Sequence, residues 1–188
     1  MKSNIIKSIR ITLVLTVILC VIYPVFISFA GKLSKGKGNG ETITLNGKVV
    51  GYANIGQSFT QPQYFWGRPS AVGYNAAGSA GSNKGPNNPD YLKDVSNRID
   101  TLLKYHPYLK RSDIPAEMVT ASGSGLDPDI SPEAAKIKIE RVAHNRQLTI
   151  LEVTDLVNKH TEKPLAGLFG PATVNVLKLN VALDALRK

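Results

Sequence analysis

The sequence has few of the residues on which catalytic or covalently linked sites are commonly built. Its 188 residues include a single cysteine, Cys20. One cysteine forms no internal disulfide and no cysteine-based metal site. The three histidines, His106, His144 and His160, have no serine or carboxylate at a spacing typical of a catalytic site, so we expect surface or helix-end positions for them. We therefore predict no catalytic residues, no metal site and no cofactor of its own.

Acidic residues are absent from the first 40 positions, and basic residues are scattered rather than clustered. Residues 31–188 contain 20 basic and 14 acidic residues, a net charge of +6. No arginine-rich stripe with interleaved aromatic residues occurs, which argues against nucleic-acid binding. Attraction to anionic membrane lipid or to an acidic partner remains open, as does an ordinary solvated surface.

Residues 11–30 contain no charged residue, histidine, asparagine or glutamine. A helix of this length spans about 30 Å, the thickness of a bilayer's hydrocarbon core, so we predict a transmembrane helix that Pro24 bends. Ser28-Phe29-Ala30 resembles a signal-peptide cleavage site, but the apolar run is longer than such signals have. An uncleaved anchor is the favoured interpretation, and without a polar face a buried helix of a soluble core is disfavoured.

The flanks of this segment do not decide its orientation, since three basic residues lie on each side. The leading segment is short and the following domain is long, which favours a cytoplasmic N-terminus and an extracytoplasmic domain at a bacterial inner membrane. We predict a short cytoplasmic N-terminus (1–10), a transmembrane helix (11–30), a flexible tether (31–40) and a globular α+β domain (41–188). The fold class is therefore an α+β soluble domain on a single N-terminal transmembrane helix.

Two glycine-rich stretches approach the phosphate-binding loop pattern without completing it. The stretch from Gly31 to Gly38 has glycine where serine or threonine would hold magnesium. The stretch from Gly78 to Lys84 has Asn83 in place of the last glycine. Neither pattern therefore predicts a nucleotide site.

The domain begins with a predicted hairpin around Asn46-Gly47, whose second strand Ile55 and Phe59 would extend towards a sheet. A helix is predicted over 89–105 with Asn88 as cap, and its apolar face includes Leu92. Further elements are a short strand at Met118–Val119, a turn at Asp127–Asp129, helices over 132–147 and 150–160, a strand over 174–179 and a helix over 181–186.

Residues 60–91 hold the only tryptophan and many Gly, Asn, Ser and Pro residues. Long loops without regular structure are uncommon unless they are functional or disordered. Tyr64, Phe65 and Trp66, followed by Arg68, predict ordered packing. Two interpretations remain: a small satellite core under the loop, or a contact surface for a partner protein, since Trp, Tyr and Arg anchor interfaces.

Four long motifs resemble one known family: FWGRPS (65–70), GYNAAGSAGSN (73–83), VTASGSGLDPDISPEAA (119–135) and GPATVNVLKLNVALDAL (170–186). Behind a single N-terminal span, they are similar to the C subunits of bacterial Kdp potassium-transporting ATPases. The resemblance implies a non-catalytic accessory subunit. It implies three partners: a channel-like potassium-binding subunit, a P-type ATPase catalytic subunit and a very small membrane peptide. The DKTGT phosphorylation sequence of P-type pumps is absent.

The resemblance also implies a loop related to nucleotide. Ser122, Gly123, Ser124 and Gly125 correspond to a region likened to the signature loop of ABC transporters, in a subunit described as a catalytic chaperone that raises the pump's affinity for ATP. An extracytoplasmic domain would keep this loop away from cytoplasmic ATP, so a partner-facing or buried structural loop is the competing interpretation, with ATP bound only through the complex. An anchored extracytoplasmic binding module unrelated to ATP is the further alternative.

Overall fold

A computed structural model describes residues 2–186 and divides the chain into two compact units, one ending at Thr42 and the other beginning at Ile43. The first unit is a nearly continuous helix. It comprises α1 (Lys2–Val17), a π-helical turn (Ile18–Ile22) and α2 (Tyr23–Gly31). Residues Ser3–Gly31 are long and apolar enough to cross a membrane, by length and composition.

The π-helical turn ends just before Pro24. Proline has no N–H to donate, and its ring crowds the carbonyl of the residue four positions earlier, here Cys20. Inserting an extra residue into the turn at 18–22 is a common way for a helix to absorb such a defect. The predicted irregularity thus appears as a widened turn next to the proline.

The second unit combines helices with two small antiparallel sheets, which confirms the α+β fold class. Strands β1 (Thr42–Leu45) and β2 (Lys48–Tyr52) form the predicted hairpin, with positive φ angles at Asn46 and Gly47. The other sheet has the order β3 (Asp129–Ile130), β5 (Thr173–Asn175), β4 (Thr161–Glu162). Val174 lies opposite Ile130 on one side and Thr161 on the other.

Helices of the second unit enclose its core. They are α3 (Pro89–Tyr105), α4 (Pro132–Lys136), α5 (Ile139–Arg146), α6 (Ile150–Lys159) and α7 (Val176–Ala185), with 3₁₀ turns at Arg111–Asp113 and Ala116–Met118. The core includes Phe65, Leu102, Met118, Ile130, Val142, Val153, Val174, Leu179 and Leu183. The expected caps are present: Asn88 accepts from Tyr91 N, Ser131 from Ala134 N and Thr149 from Glu152 N.

Several predicted boundaries were wrong. The strand expected over 174–179 ends at Asn175, because the Asn175 side chain accepts a hydrogen bond from Lys178 N and starts α7 there. The helix expected over 132–147 divides at Ile137–Lys138, where Lys138 N bonds to the carbonyl three residues back.

Two predicted strands and one predicted core residue also differ from the structure. Strand β2 stops at Tyr52, and Gly56 N instead bonds to Leu126 O. Met118 ends a 3₁₀ turn rather than forming a strand. Leu92 is 53% exposed, so the buried face of α3 consists of later residues, Ile99 and Leu102.

Candidate functional site

The aromatic segment, residues 61–69, packs against the core of the second unit. Phe65 is completely buried in the core, and Trp66 packs against that core from its edge. Tyr64 and Arg68 are partly exposed. Phe65 is therefore a core residue with no surface to offer a partner, whereas Tyr64, Trp66 and Arg68 keep exposed edges. Phe65 belongs to the main core rather than to a separate satellite core, and contact of Tyr64, Trp66 and Arg68 with a partner stays a prediction.

Side chains from two helices hold the backbone of this segment. Irregular backbone inside a protein must find hydrogen-bond partners, because an unpaired buried carbonyl is costly. Five consecutive carbonyls, from residue 62 to residue 66, each accept from a side chain of α5, α7 or the turn before α5. The donors are Arg141 to Pro62 O and Tyr64 O, Arg146 to Gln63 O, Asn180 to Phe65 O and Lys138 to Trp66 O.

Three of these four donor side chains are basic. The Lys138 Nζ to Trp66 O distance is 2.6 Å, and the Asn180 amide closes a reciprocal pair with Phe65 at 2.9 and 3.0 Å. Charge-assisted hydrogen bonds are stronger than neutral ones, so the two arginine donors suit a segment that has no regular secondary structure. We call Lys138, Arg141 and Arg146 the basic clamp.

Lys138 is buried away from solvent. Its Nζ also lies 3.1 Å from the Met118 sulfur. Burial lowers the pKa of Lys138 well below its ordinary value; the charge of Arg141 lowers it further and Glu117 opposes the shift. The Glu117 carboxylate itself accepts from Ser131 N at 3.1 Å.

His106 lies next to Trp66 and contacts the basic clamp through Arg141. Its Nδ1 lies 2.8 Å from Leu102 O and its Nε2 lies 2.9 Å from Arg141 Nε. Because arginine only donates, Nε2 must accept and the proton resides on Nδ1. Burial lowers the pKa of His106 to about 4, with the Leu102 carbonyl opposing and Arg141 and Lys138 adding to the effect. His106 lies at the end of α3, one of the two positions expected for it, and it is buried rather than on the surface.

An open groove adjoins the aromatic segment. It has a volume of about 390 Å³, and its wall includes Trp66, Arg68, Tyr74, Arg98 and Tyr105. Trp66 and Tyr105 meet edge to face at 5.1 Å between centroids. Two arginines on an otherwise largely aromatic and aliphatic wall suit a ligand surface that is apolar and carries negative charge.

Arg68 is fixed at one end of the groove. Its Nη1 pairs with Asp127 at 3.0 Å, and the Tyr74 hydroxyl donates to its carbonyl. Burial raises the pKa of Tyr74 to about 12, with Asp127 adding to the shift and Arg68 opposing it. Within residues 2–186, the buried Arg68 Nε has no hydrogen-bond partner. The groove wall therefore contains a guanidinium group whose position is fixed by its pairing with Asp127.

The Ser122–Gly125 loop is tied into the fold beneath residues 70–81. Ser122 N donates to Pro69 O at 3.0 Å, and Ser70 Oγ donates to Gly125 O at 2.6 Å. Ser122 and Gly125 are buried, while Gly123 and Ser124 are exposed. The N–H groups of Ser122, Gly125 and Leu126 are all used within the protein.

The remaining candidate residues have local partners. Asp127 bonds to Arg68 and to Asp129 N, and Asp129 accepts from Asn175. His160 Nδ1 lies 2.9 Å from Leu156 O at the end of α6, and His144 is exposed. Over residues 2–186, no group of three or more His, Cys, Asp and Glu side chains is placed to hold a metal ion.

The basic clamp was not predicted from the sequence, although a signal for it existed. Lys138 and Arg141 follow Ala134 at helical spacings of four and seven, which places them on the apolar side of the predicted 132–147 helix. A charged residue on an apolar helix face indicates a buried donor. The acceptors of these donors are backbone carbonyls 70 to 80 residues earlier in the chain, and no local sequence pattern predicts them.

The fold and its groove define a class: a small α+β domain that follows one apolar helix and has an open groove beside a clamped aromatic segment. The chain belongs to the KdpC family. The family model described as K+-transporting ATPase, c chain, matches residues 5–185. It is therefore a subunit of a potassium-transporting ATPase complex.

The curated relatives agree over nearly their whole length. The chain is 56% identical over 188 residues to the potassium-transporting ATPase KdpC subunit of Bacteroides fragilis, covering 98% of both chains. It is 57% identical over 185 residues to that of Flavobacterium johnsoniae, covering 98% of this chain and 100% of the relative. The Methylococcus capsulatus protein is 49% identical over 179 residues, covering 93% and 94%.

Proposed function

We propose that this subunit works by contact: it assembles and stabilises the potassium pump and has no active site of its own. The observation that carries the proposal is the groove beside the aromatic segment, where Trp66, Tyr105 and two arginines form a fixed, partly exposed wall. Aromatic and arginine side chains are the types that dominate interface energetics. The basic clamp supports the proposal, because a rigid surface loses little entropy on binding.

The partners we propose are the channel-like potassium-binding subunit, the P-type catalytic subunit and the small membrane peptide. The groove takes an apolar segment with an acidic group from one of them, since Arg68 and Arg98 line it. The N-terminal helix anchors the chain in the bacterial inner membrane as a single pass, with the N-terminus cytoplasmic and the domain extracytoplasmic.

A groove-filling substitution tests the contact function without removing core atoms. Thr101 is exposed and lines the groove, so Thr101→Trp fills it while leaving the clamp intact. Ser112→Trp, at an exposed site outside the groove wall, is the matched control. We expect Thr101→Trp to reduce recovery of the other subunits at least tenfold and Ser112→Trp to leave it unchanged. Equal recovery of both would refute the groove as a contact site.

An effect on ATP affinity is a second proposal, exerted through the catalytic subunit rather than by nucleotide bound at Ser122–Gly125. Phosphate cradles use several successive free N–H groups, whereas the amides of Ser122 and Gly125, at the two ends of this loop, already bond within the domain. A cysteine at Ser124 in a Cys20→Ser chain tests access in intact cells. Labelling of this cysteine by a membrane-impermeant reagent supports an extracytoplasmic domain. If the cysteine is labelled only after the cells are opened, the loop faces the cytoplasm, where ATP is present.

A further inference from the structure

The connection between β4 and β5 folds into a closed apolar tip, residues 165–169. Leu165 N donates to Phe169 O at 2.9 Å and Phe169 N donates to Leu165 O at 3.0 Å. Positive φ angles at Ala166 and Gly167 turn the chain between them. The tip is therefore an ordered small hairpin.

This tip presents its apolar side chains to solvent. Leu165 is 76% exposed, Leu168 82% and Phe169 68%. Burying a leucine or phenylalanine side chain gains about 1.5–3 kcal/mol, so an ordered turn that holds three of them in water favours association with an apolar phase.

Residues 159–163, which lead into the tip, contain two lysines and one acidic residue, Glu162, whose carboxylate pairs with Lys178 at 3.6 Å. Lys159, at the end of α6, and Lys163, just before the tip, are both exposed. Apolar tips flanked by lysines suit the boundary between acyl chains and anionic headgroups. The excess of 20 basic over 14 acidic residues after position 30 acts in the same direction.

Covalent geometry keeps the domain close to a bilayer. Only residues 32–41 connect the end of α2 to the start of β1. Ten residues extend at most about 35 Å, which is comparable with the diameter of a domain of this size. A lipid surface is thus present at high effective concentration whenever the N-terminal helix is inserted.

We propose that the apolar tip inserts into the interface of the bilayer in which the N-terminal helix is anchored, with anionic lipid as its partner. The tip is then a second membrane contact, which restricts the orientation of the domain relative to the pump. This inference rests on the membrane anchoring given under the proposed function.

Depth-dependent quenching of a single probe tests it. The full-length chain, purified without other subunits, is reconstituted into vesicles of phosphatidylethanolamine and phosphatidylglycerol that contain a spin-labelled acyl chain. One environment-sensitive fluorophore is attached to Leu168→Cys in a Cys20→Ser background. Matched controls carry the probe at Ser112→Cys, which is exposed, or at the native Cys20, which lies in the apolar helix.

We expect the probe at position 168 to be quenched by the lipid label at least threefold more than the probe at 112. Adding Leu165→Ser and Phe169→Ser should abolish that difference. Equal quenching at 168 and 112 would overturn the proposal, as would protection of 168 only after the other subunits are added, which indicates a protein socket. An unquenched probe at Cys20 would instead show that the anchoring itself is wrong.

Discussion

The guanidinium group of Arg141 lies over the ring of Trp66, with 4.2 Å between the Arg141 Cζ and the ring centroid. The same group donates to His106 Nε2 and to the carbonyls of Pro62 and Tyr64. One side chain thereby joins α5, the end of α3 and the aromatic segment. This makes Arg141 the central residue of the basic clamp.

We expect Arg141→Ala to destabilise the chain by at least about 3 kcal/mol. The substitution leaves His106 and two carbonyls without their donor, and each unpaired buried group costs about 1–3 kcal/mol. Urea unfolding of the full-length chain in detergent measures the change. Arg111→Ala, at an exposed arginine, is the control and should change stability by no more than about 0.5 kcal/mol. A similarly small loss of unfolding free energy in both variants would contradict the stabilising role of the basic clamp.

Phe65 and Trp66 should respond differently to truncation. Phe65→Ala removes a completely buried ring and should cost about 3–5 kcal/mol in unfolding free energy. Trp66→Ala removes a ring at the groove edge, so we expect it to weaken complex assembly more than its smaller loss of domain stability explains. Unfolding and co-purification of the subunits are measured on the same variants. If the loss of co-purification for Trp66→Ala is no greater than its loss of unfolding free energy explains, Trp66 is only a core residue.

His106 should make the protein less stable in acid. Its folded pKa, about 4, lies below the ordinary value of 6.5, so the unfolded chain binds the extra proton between these values. This contribution to stability is complete above about pH 6.5 and is lost as the pH falls towards 4. The loss amounts to roughly 3 kcal/mol at most.

Comparing unfolding free energies at pH 7 and pH 5 isolates this dependence. His106→Gln should be less stable at pH 7 but should flatten the slope, because its amide does not titrate. His144→Gln, at an exposed histidine, should retain the parent slope. A slope that survives in His106→Gln would assign the acid sensitivity to other groups.

Two glycines of one loop offer a matched pair. Gly125 has φ +66°, and a Cβ there would lie 2.6 Å from Val72 Cγ2 and 2.7 Å from Ala80 O, whereas a Cβ at Gly123 meets open space. We expect Gly125→Ala to destabilise the chain by about 2 kcal/mol or more and Gly123→Ala to have little effect. Thermal unfolding measures both. A large loss of pump ATP affinity in folded Gly123→Ala would instead favour direct nucleotide contact.

The local elements were predictable where their signals are local. The Asn46-Gly47 turn, the Asn88 cap before Pro89 and the Thr149–Glu152 capping box depend on neighbouring residues, and the structure confirms each. The β5 boundary was misplaced because alternation over 174–179 continued past Asn175. The Asn175 side chain caps a helix by accepting from Lys178 N, and its amide donates to the remote Ala53 carbonyl. The candidate site was predicted in part: the aromatic segment was recognised, and its division into a buried Phe65 and exposed edges was not.

The sequence by itself determined the membrane-length apolar helix, the α+β class and the family, because hydropathy, capping patterns and long motifs are properties of consecutive residues. The tertiary structure decided which residues of the aromatic segment are buried and that Lys138, Arg141 and Arg146 hold its carbonyls. The physical reason is that buried backbone must be hydrogen-bonded, and an irregular segment finds its donors on elements that are remote in the chain.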